Sequence, residues 1–411
     1  MTETYTTEYL ESKRYQRHIK RHVLAPVHRF AAVTPPELAA LCRQEAEMAG
    51  FDVTGLSDAG VEFTGNFGAC YEANLWLRTA SRILCRLPAF RAGVREELFG
   101  KVSGIPWELW LNRSVPVRVE THVEHSRINH EGMVLETVLD GLRRRFREKG
   151  IVPPPEWDRS RGQPGSESDE NSRKQRILVR LVRNHCELSL DTTGDHLHRR
   201  GYRMRHAGAP IRETLAAAIL MKAGWNGNTP LVDGMCGAGT AAVEAALLAR
   251  RMPPGLGRSF LFQSWPSYRE KTWEFLLRKA REKMSAHPAA PIVALDRDPR
   301  ALAVARENAR KAHTEKEIIW REEDFFDFQP ARMGLSEGLL ILDPPYGKRL
   351  PGPDRGFHER LGAHLRRLYT GWRIAVLCPE RGIAVTGIRA VRYWRIVHGG
   401  TSIYVAMARV E

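Results

Sequence analysis

The spacing of apolar residues changes character near residue 200. Before that point, VPVRVETHV alternates like a strand, and EGMVLETVLDGLRRRFREKG places Val134, Val138, Leu142 and Phe146 at helical spacing. After it, apolar runs typical of strands, such as TPLVDGM, PIVALDRD and GLLILDPP, alternate with helical segments such as PRALAVARENARKAH. Regular alternation of strands and helices predicts a mainly parallel sheet with helices on both faces. The pattern therefore predicts a mixed α+β module followed by an α/β domain.

Local composition divides these two regions further. Residues 1–25 are polar and charged, which is typical of a tail that is either disordered or weakly helical. Ordered patterns begin near Val27, and a stretch rich in Pro, Gly, Ser and charge at 153–174 indicates an inserted loop. The end, VRYWRIVHGGTSIYVAMARV, predicts two strands joined by a Gly-Gly turn. We therefore predict domain boundaries that give the segments 1–25, 26–60, 61–200 and 201–411.

The balance of charge is strongly basic. Lys and Arg number 63 against 48 Asp and Glu, which gives a formal net charge of +15 at pH 7. Such a balance suits a partner that carries phosphates. A generally basic, solvated surface explains the same numbers, so charge alone leaves both interpretations open.

Cysteine usage and the N-terminus point to an ordinary intracellular setting. The six cysteines are scattered, with no C-x-x-C pair and no zinc-like spacing to histidine, so we expect no disulfide, no metal and a reducing cytoplasm. The N-terminus lacks the apolar core of a secretory signal, and no apolar run is long enough to span a bilayer.

The first chemical feature is a glycine-rich turn. In LVDGMCGAGTAAVEAA a strand ends at Asp233, and Gly234, Gly237 and Gly239 precede a helix. Open α/β sheets bind ligands at such strand ends, and small residues let a ligand approach the backbone closely. A tight turn without any ligand is the alternative. The pattern is not G-x-x-x-x-G-K-[ST], which disfavours a nucleoside triphosphate.

Acidic residues follow the next two strands. Asp296 ends the strand of VALDRDP, and Asp298 is placed to cap the following helix. Taken alone, Asp296 is also a capping candidate, but after a glycine-rich turn it favours hydrogen bonds to both hydroxyls of a ribose. Asp324, in REEDFFDF after the third strand, is placed to accept the amine of an adenine, and a plain solvated acid fits equally well.

The most specific feature is LLILDPPYGKRL, in which Asp343, Pro344, Pro345 and Tyr346 follow an apolar strand. Two prolines fix φ and remove two N–H groups, which leaves carbonyls to accept hydrogen bonds. The Asp343 carboxylate and a proline carbonyl can hold the two hydrogens of an exocyclic amine, so that the nitrogen lone pair faces a methyl donor. Tyr346 can stack on the base. A Pro-rich turn is the structural alternative.

At this point the motifs become recognisable. DGMCGAGT, DRDPRAL and DPPYGKRL closely resemble those of the THUMP-containing guanine-N2 RNA methyltransferases, and above all the RlmL-like group that methylates large-subunit ribosomal RNA. The segments ANLWLRTASRILCRL, GIPWELWL and ELSLDTTGDHLHRRGYR resemble the THUMP region and hinge of that group, so the resemblance covers roughly residues 27 to 411. It implies a Rossmann-like class I methyltransferase domain at 201–411. It also implies an RNA-binding module before it, ferredoxin-like at 26–60 and THUMP-like at 61–200.

The resemblance also assigns roles to residues. The predicted S-adenosyl-L-methionine site comprises Asp233, Cys236, Gly237, Gly239, Thr240, Asp296 and Asp324. The residues that hold the target guanine are Asp343, Pro344, Pro345 and Tyr346. The sequence departs from the family pattern at Gly234, where proline is usual, and we expect glycine to loosen this turn. Because the sequence ends soon after the predicted sheet, we expect it to lack the additional C-terminal methyltransferase of some relatives.

Two basic runs are candidates for phosphate contact. LHRRGYRMRH places Arg199, Arg200 and Arg203 near a tyrosine at the predicted domain junction, which favours RNA binding for these three. GLRRRFREKG adds a second run, in which Arg145 and Arg147 fit a solvated helix face better.

The sequence thus predicts methyl transfer to the N2 amine of a guanosine in RNA, with large-subunit ribosomal RNA as the preferred substrate. The same D/N-P-P-Y loop serves enzymes that methylate a base amine of tRNA or DNA, or a glutamine amide of a protein. A non-catalytic RNA-binding assembly factor with an inactive methyltransferase fold is a further alternative. An intact glycine-rich turn beside an intact DPPY motif disfavours that last alternative.

Overall fold

The computed structural model describes residues 8–57, 59–156, 174–203, 211–344, 355–378, 387–389, 391–398 and 401–411. The chain divides into two compact units. Unit 1 comprises Met1–Leu197 and Arg258–Leu277, and unit 2 comprises His198–Gly257 and Arg278–Glu411. The predicted boundary near residue 200 thus lies close to the first crossing between the units, but the prediction of one continuous domain at 201–411 missed the return of residues 258–277 to unit 1.

Unit 1 is built on one eight-stranded sheet. Its strands are β1 His28–Val33, β2 Asp52–Ser57, β3 Gly60–Gly65, β4 Arg82–Arg86, β5 Phe90–Arg91, β6 Val117–Glu124, β7 Gln175–Val182 and β8 His185–Asp191. They lie in the order β2-β3-β1-β4-β8-β7-β6, and β5 pairs with β8. All pairs are antiparallel except β6 with β7. Buried and more exposed positions alternate along β7, as expected for a strand with one face on the core.

Unit 1 contains six α-helices within its described residues, and a seventh begins in it. They are Glu8–Glu11, Lys13–Ile19, Pro36–Met48, Phe67–Trp76, Arg95–Gly104 and Glu131–Glu148, and Glu270–Glu282 begins in this unit. Helix Glu131–Glu148 buries Val134, Val138, Leu142 and Phe146, the four positions predicted from helical spacing.

From Glu8 onward, the polar N-terminal segment is a structured part of unit 1. Helix Lys13–Ile19 continues as a π-helical turn over Lys20–Leu24, and together they bury Tyr15, Ile19 and Val23. The sequence left residues 1–25 as either a disordered or a weakly helical tail. The described residues from Glu8 onward are helical, and this helix packs against the rest of unit 1. The signal was present in the sequence, because these three residues are spaced at i, i+4 and i+8.

The segment Arg258–Leu277 joins unit 1 through aromatic packing and hydrogen bonds. The Phe262 ring stacks on Tyr71 with centroids 4.4 Å apart, and Trp265 Nε1 donates to Gln175 Oε1 at 2.6 Å. The Phe262 N–H also donates to the Thr192 carbonyl at 3.0 Å. A fragment starting near residue 205 would therefore separate Phe262 and Trp265 from the partners that bury them.

Unit 2 contains a seven-stranded sheet. Its strands are β9 Leu231–Asp233, β10 Ile292–Asp296, β11 Ile319–Glu322, β12 Leu339–Leu342, β13 Arg373–Cys378, β14 Arg392–His398 and β15 Thr401–Arg409. The order is β11-β10-β9-β12-β13-β15-β14, parallel from β11 to β13 and antiparallel for β15 and β14. The predicted parallel sheet and closing hairpin are both present. The helices of this unit are Glu213–Lys222, Thr240–Ala249, Pro299–Lys311 and Arg355–Leu368.

The centre of this sheet explains where a ligand would bind. Strands β9 and β12 are buried along their whole lengths, and β10 is buried as far as Leu295, which fits strands covered by helices on both faces. β10 and β12 flank β9 on opposite sides, so the connections from β9 and from β11 leave in opposite directions. Open α/β sheets bind ligands at such a switch point, beyond the carboxyl ends of the strands.

Candidate functional site

Asp233, the last residue of β9, connects the strand to the helix that follows the glycine-rich turn. Asp233 is 2% exposed, and its Oδ2 accepts a hydrogen bond from the backbone N–H of Ala242 in the following helix at 3.1 Å. Gly239 has φ +74°, and a Cβ there would lie 2.8 Å from the Cβ of Ala305. Glycine is therefore required at Gly239 for both conformation and packing.

Asp296 reaches this turn from the next strand. Its Oδ2 accepts from the backbone N–H of Gly237 at 2.8 Å, and its Oδ1 accepts from the N–H of Asp298 at 2.9 Å. Asp298 in turn accepts from the N–H of Arg300 and is the N-cap of the following helix, which confirms the predicted cap. The structure thus places two predicted cofactor residues, Gly237 and Asp296, in direct contact.

Gly234 has a packing role that the family pattern did not indicate. A Cβ at this position would lie 2.6 Å from Leu342 Cδ2 and 2.6 Å from Phe325 Cδ2. The Gly234 N–H also donates to the Ile341 carbonyl at 3.0 Å. Proline would lose this hydrogen bond and add the overlapping atoms, so the close packing at this position requires glycine.

A cavity lies beside this turn and brings the acids of β9 and β12 together. Asp233 and Asp343 both line it, and so do the predicted residues Cys236, Gly237 and Thr240. Its volume is about 120 Å³, well below the roughly 300–1,000 Å³ of a complete small-molecule site. The cavity therefore fits one end of a larger ligand.

The wall of this cavity includes apolar residues that the sequence interpretation missed. Its other lining residues are Ile211, Ala216, Ile219, Met235, Ala238, Ala241, Ile341 and Leu377. Ala216 and Ile219 lie three positions apart in IRETLAAAILMK, a spacing that identifies a shared helix face but not which cavity it borders.

The remaining predicted residues lie around the cavity or outside the described chain. Asp324 follows β11, where its Oδ1 accepts from the N–H of Phe326 at 2.9 Å and its Oδ2 lies 3.7 Å from Arg297 Nη1. Pro344 is buried directly after Asp343. Pro345 and Tyr346 fall outside the described residues, so their predicted roles stay predictions. Gly239, Asp296 and Asp324 do not belong to the cavity lining.

Burial changes the acidity of Asp233. Removal from water raises the pKa of this carboxyl from 3.8 to about 8. The hydrogen bond from Ala242 acts against that change, and the neighbouring Asp343 and Asp296 carboxylates reinforce it. Such a cluster of acids favours a ligand with positive charge near Asp233.

This pKa predicts a pH-dependent stability. The folded chain binds the Asp233 proton more tightly than the unfolded chain, so the stabilisation is complete below pH 3.8 and is lost as pH rises toward about 8. The wild type should therefore lose stability relative to Asp233→Asn over this range, by on the order of 1 kcal/mol per pH unit. Urea unfolding of both proteins at pH 5, 6, 7 and 8 measures the difference. Asp298→Asn, at an exposed helix cap, is the control. If the free energies of unfolding of wild type and Asp233→Asn changed in parallel with pH, the raised pKa of Asp233 would be contradicted.

Arg200 and Arg203 have partners within unit 2. The burial of Arg200 argues against its predicted phosphate contact, whereas that of Arg203, whose side chain is 23% exposed, stays a prediction. The Arg200 side chain is 2% exposed, and its Nε lies 3.4 Å from Oε1 of the fully buried Glu244. Tyr202 also donates to that Oε1, at 3.1 Å. Arg203 Nη2 donates to Oγ1 of Thr240 at 2.9 Å. Both arginines therefore fasten this segment to the helix that follows the glycine-rich turn.

Arg203 also contacts the N-terminal end of helix Glu213–Lys222. Its Nη2 donates to the Ile211 carbonyl at 2.5 Å, and its Nε lies 3.4 Å from Oε1 of Glu213. Because Ile211 and Thr240 both line the cavity, Arg203 braces two parts of its wall. Arg199 is partly buried, and its predicted phosphate contact stays a prediction.

The described residues contain neither a metal-binding cluster nor a membrane-spanning helix. No cluster of three or more His, Cys, Asp or Glu side chains in them has an arrangement suited to a metal ion. Within the same ranges, no helix combines the length and apolarity that crossing a membrane requires.

Comparisons with known proteins show the family to which the chain belongs. A family profile described as "RMKL-like, methyltransferase domain" matches residues 200–389, and one described as "RlmL ferredoxin-like domain" matches residues 29–84. The putative RNA methyltransferase slr0064 of Synechocystis sp. is 30% identical over 386 residues, which cover 90% of this chain and 96% of that protein. The chain belongs to the RlmL-like methyltransferase family. The resemblance recognised from the motifs and the predicted fold class are thereby confirmed.

Other RlmL-like proteins are longer. The ribosomal RNA large subunit methyltransferase K/L of Syntrophotalea carbinolica is 34% identical over 386 residues, which cover 91% of this chain and 52% of that protein. The chain therefore spans about half the length of this relative. The ferredoxin-like match at 29–84 reaches from β1 to β4, beyond the 26–60 predicted from the sequence.

A solved structure covers nearly the whole RlmL-like chain. SMU.472, a putative methyltransferase crystallised with S-adenosylhomocysteine (SAH), superposes with a TM-score of 0.79 and 26% identity. The match covers 94% of this chain and 98% of SMU.472.

Proposed function

We propose that this chain transfers the methyl group of S-adenosyl-L-methionine to the exocyclic N2 amine of a guanosine in RNA, with large-subunit ribosomal RNA as the substrate. The observation that carries the proposal is the shared cavity: Asp343 of the DPPY motif and Asp233 of the glycine-rich turn line it together. Family membership, the RNA methyltransferase names of the relatives and the SAH bound to SMU.472 support it. We further propose that unit 1 binds the RNA in the manner of a THUMP protein, and that the protein acts in the cytoplasm.

The residues present fit S-adenosyl-L-methionine. The cavity combines an apolar wall, which includes Ile219 and Leu377, with the acid Asp233 of the glycine-rich turn. An apolar wall suits a methylene chain, and acids suit a cationic sulfur and an amine. A Cβ at Gly237 would meet nothing within 4 Å, so this turn leaves open space beside its backbone. Asp233, Gly237 and Thr240 would hold the methionine end, with Asp296 on the ribose and Asp324 on the adenine.

The bound cofactor supplies an electrophilic methyl group on a positively charged sulfur. The chain's own contribution is to orient the guanine amine, which is a poor nucleophile because its lone pair is delocalised into the ring. Asp343 accepts a hydrogen bond from this amine, and the Pro344 carbonyl accepts the second, so the lone pair is aimed at the methyl carbon. Asp343 stabilises the positive charge that develops on nitrogen as the bond from nitrogen to that carbon forms and the bond from the carbon to sulfur breaks, with S-adenosylhomocysteine as the leaving group. The proton leaves the nitrogen last, to Asp343 or to water.

The test is to identify the methylated nucleoside. Purified protein, S-adenosyl-L-methionine and an unmodified large-subunit ribosomal RNA transcript should yield N2-methylguanosine, detected by mass spectrometry after nuclease digestion. Ribosomal and transfer RNA from cells lacking the protein should show which RNA loses this nucleoside. Appearance of a different methylated base would contradict the guanine-N2 assignment, and loss from tRNA alone would move the substrate to tRNA. Absence of S-adenosyl-L-methionine binding in titration calorimetry would favour a non-catalytic RNA-binding protein.

A further inference from the structure

The N-terminal helix of unit 1 separates its basic residues from its apolar ones. Lys13, Arg14, Arg17, Lys20 and Arg21 are all exposed, and we name this set the basic ridge. At about 100° per residue, the five positions fall within roughly a third of the helix circumference. Tyr15, Ile19 and Val23 occupy the opposite side and are at most 4% exposed. The ridge therefore points away from the body of the unit.

The buried side fixes the helix in place. Tyr15 donates its hydroxyl to the Glu108 carbonyl at 2.7 Å, and its ring packs edge-on against Tyr9 with centroids 5.3 Å apart. Ile19 and Val23 have no exposed surface. Because this frame is already ordered, a ligand that contacts the ridge has only side chains to order, not backbone.

Ion pairing separates the basic ridge from other basic residues of unit 1. Within the described part of the chain, none of its five residues forms an ion pair with an acidic side chain. The buried Glu108 beneath the helix is engaged by Arg145, whose Nε and Nη2 donate to its two carboxylate oxygens at 2.9 and 2.6 Å. Other arginines of unit 1 differ, since Arg29 and Arg86 both pair with Glu62.

We propose that the basic ridge binds the phosphate backbone of the RNA substrate. The inference rests on the proposed function for the identity of the RNA, and the ridge lies outside both segments matched by family profiles. Three of its residues are arginines, whose planar guanidinium groups donate to phosphate oxygens in pairs. An anionic membrane fits less well, because interfacial helices insert an apolar face, and the apolar face here is buried in the protein.

The test compares salt dependence of RNA binding. The probe is a fluorescent, unmodified large-subunit ribosomal RNA transcript, titrated at several salt concentrations with wild type and with the triple variant Arg14→Gln, Arg17→Gln, Arg21→Gln. Glutamine has nearly the helix propensity of arginine, so the helix should persist. Loss of three phosphate contacts should flatten the log–log slope by about 2 and lower affinity near 0.15 M salt by roughly 10- to 50-fold.

Matched variants distinguish the effect of the ridge residues on RNA binding from the effect of the protein's net charge. The triple variant Arg306→Gln, Lys311→Gln, Lys316→Gln removes the same charge from exposed positions of unit 2 and should leave the slope unchanged. Replacing the three ridge arginines with lysine should retain the slope. If circular dichroism shows the ridge triple variant unfolded, Lys13→Gln with Lys20→Gln gives the same test, with a slope change of about 1.4.

Three results would overturn the proposal. These are an unchanged slope in the ridge variants, an equal loss of affinity in the unit 2 control, and ridge-dependent binding to phosphatidylserine vesicles with RNA binding unaffected. Binding is measured without methyl transfer, so the two proposals fail separately. Absence of N2-methylguanosine with ridge-dependent RNA binding would refute the proposed function alone. Normal methylation with an unchanged slope would refute the ridge alone.

Discussion

Asp343→Ala is expected to slow RNA methylation by on the order of 100- to 1000-fold while S-adenosyl-L-methionine affinity stays within a factor of a few. The Asp343 carboxylate is used most strongly as positive charge develops on the guanine nitrogen, so its loss raises the transition state more than the ground state. Single-turnover methylation at saturating cofactor measures the rate, and titration calorimetry measures cofactor affinity. Both are needed because Asp343 and Asp233 line the same cavity.

Two further variants sharpen this comparison. Asp343→Asn keeps one acceptor oxygen and should recover part of the rate. Asp296→Ala should show the opposite pattern, with weaker cofactor binding through loss of hydrogen bonds worth about 1.5–3 kcal/mol. A near wild-type rate for Asp343→Ala would make the DPPY loop structural and remove Asp343 from the chemistry.

Arg200→Met is expected to lower the free energy of unfolding by about 3–5 kcal/mol, because it leaves the Glu244 carboxylate buried without its cationic partner. The double variant Arg200→Met, Glu244→Leu should recover much of this loss, since removal of both charges leaves none to compensate. Arg212→Met, at an exposed position of the same chain region, should have little effect. Denaturant unfolding followed by tryptophan fluorescence checks all three.

The same Arg200 variant tests the phosphate contact that the sequence predicted. A buried arginine cannot release counterions from RNA, so the salt slope of Arg200→Met should equal that of wild type. Normal stability combined with a flatter slope would return Arg200 to the RNA-binding surface.

The fold class and the strand-end acids were determined by the sequence. Both depend on local patterns: the period of apolar residues distinguishes helix from strand, and carboxyl ends of neighbouring parallel strands must meet at one edge. This is why the amino-acid pattern alone assigns Asp233 and Asp343, 110 positions apart in the chain, to one site, and they do line one cavity. The helix cap at Asp298 could also be predicted from the sequence, because the residue that it caps, Arg300, is only two positions away.

Tertiary structure decided what local patterns leave open. Arg200 and Arg17 carry the same formal charge, yet the first is buried against Glu244 and the second is exposed on the basic ridge. The partner of a charged side chain comes from a distant part of the chain, so its burial is a property of the fold. The same reason explains the return of residues 258–277 to unit 1, since the aromatic partner Tyr71 lies almost 200 positions earlier. Local chemistry located the candidate site, and only packing distinguished charges that stabilise the fold from charges that remain exposed to a partner.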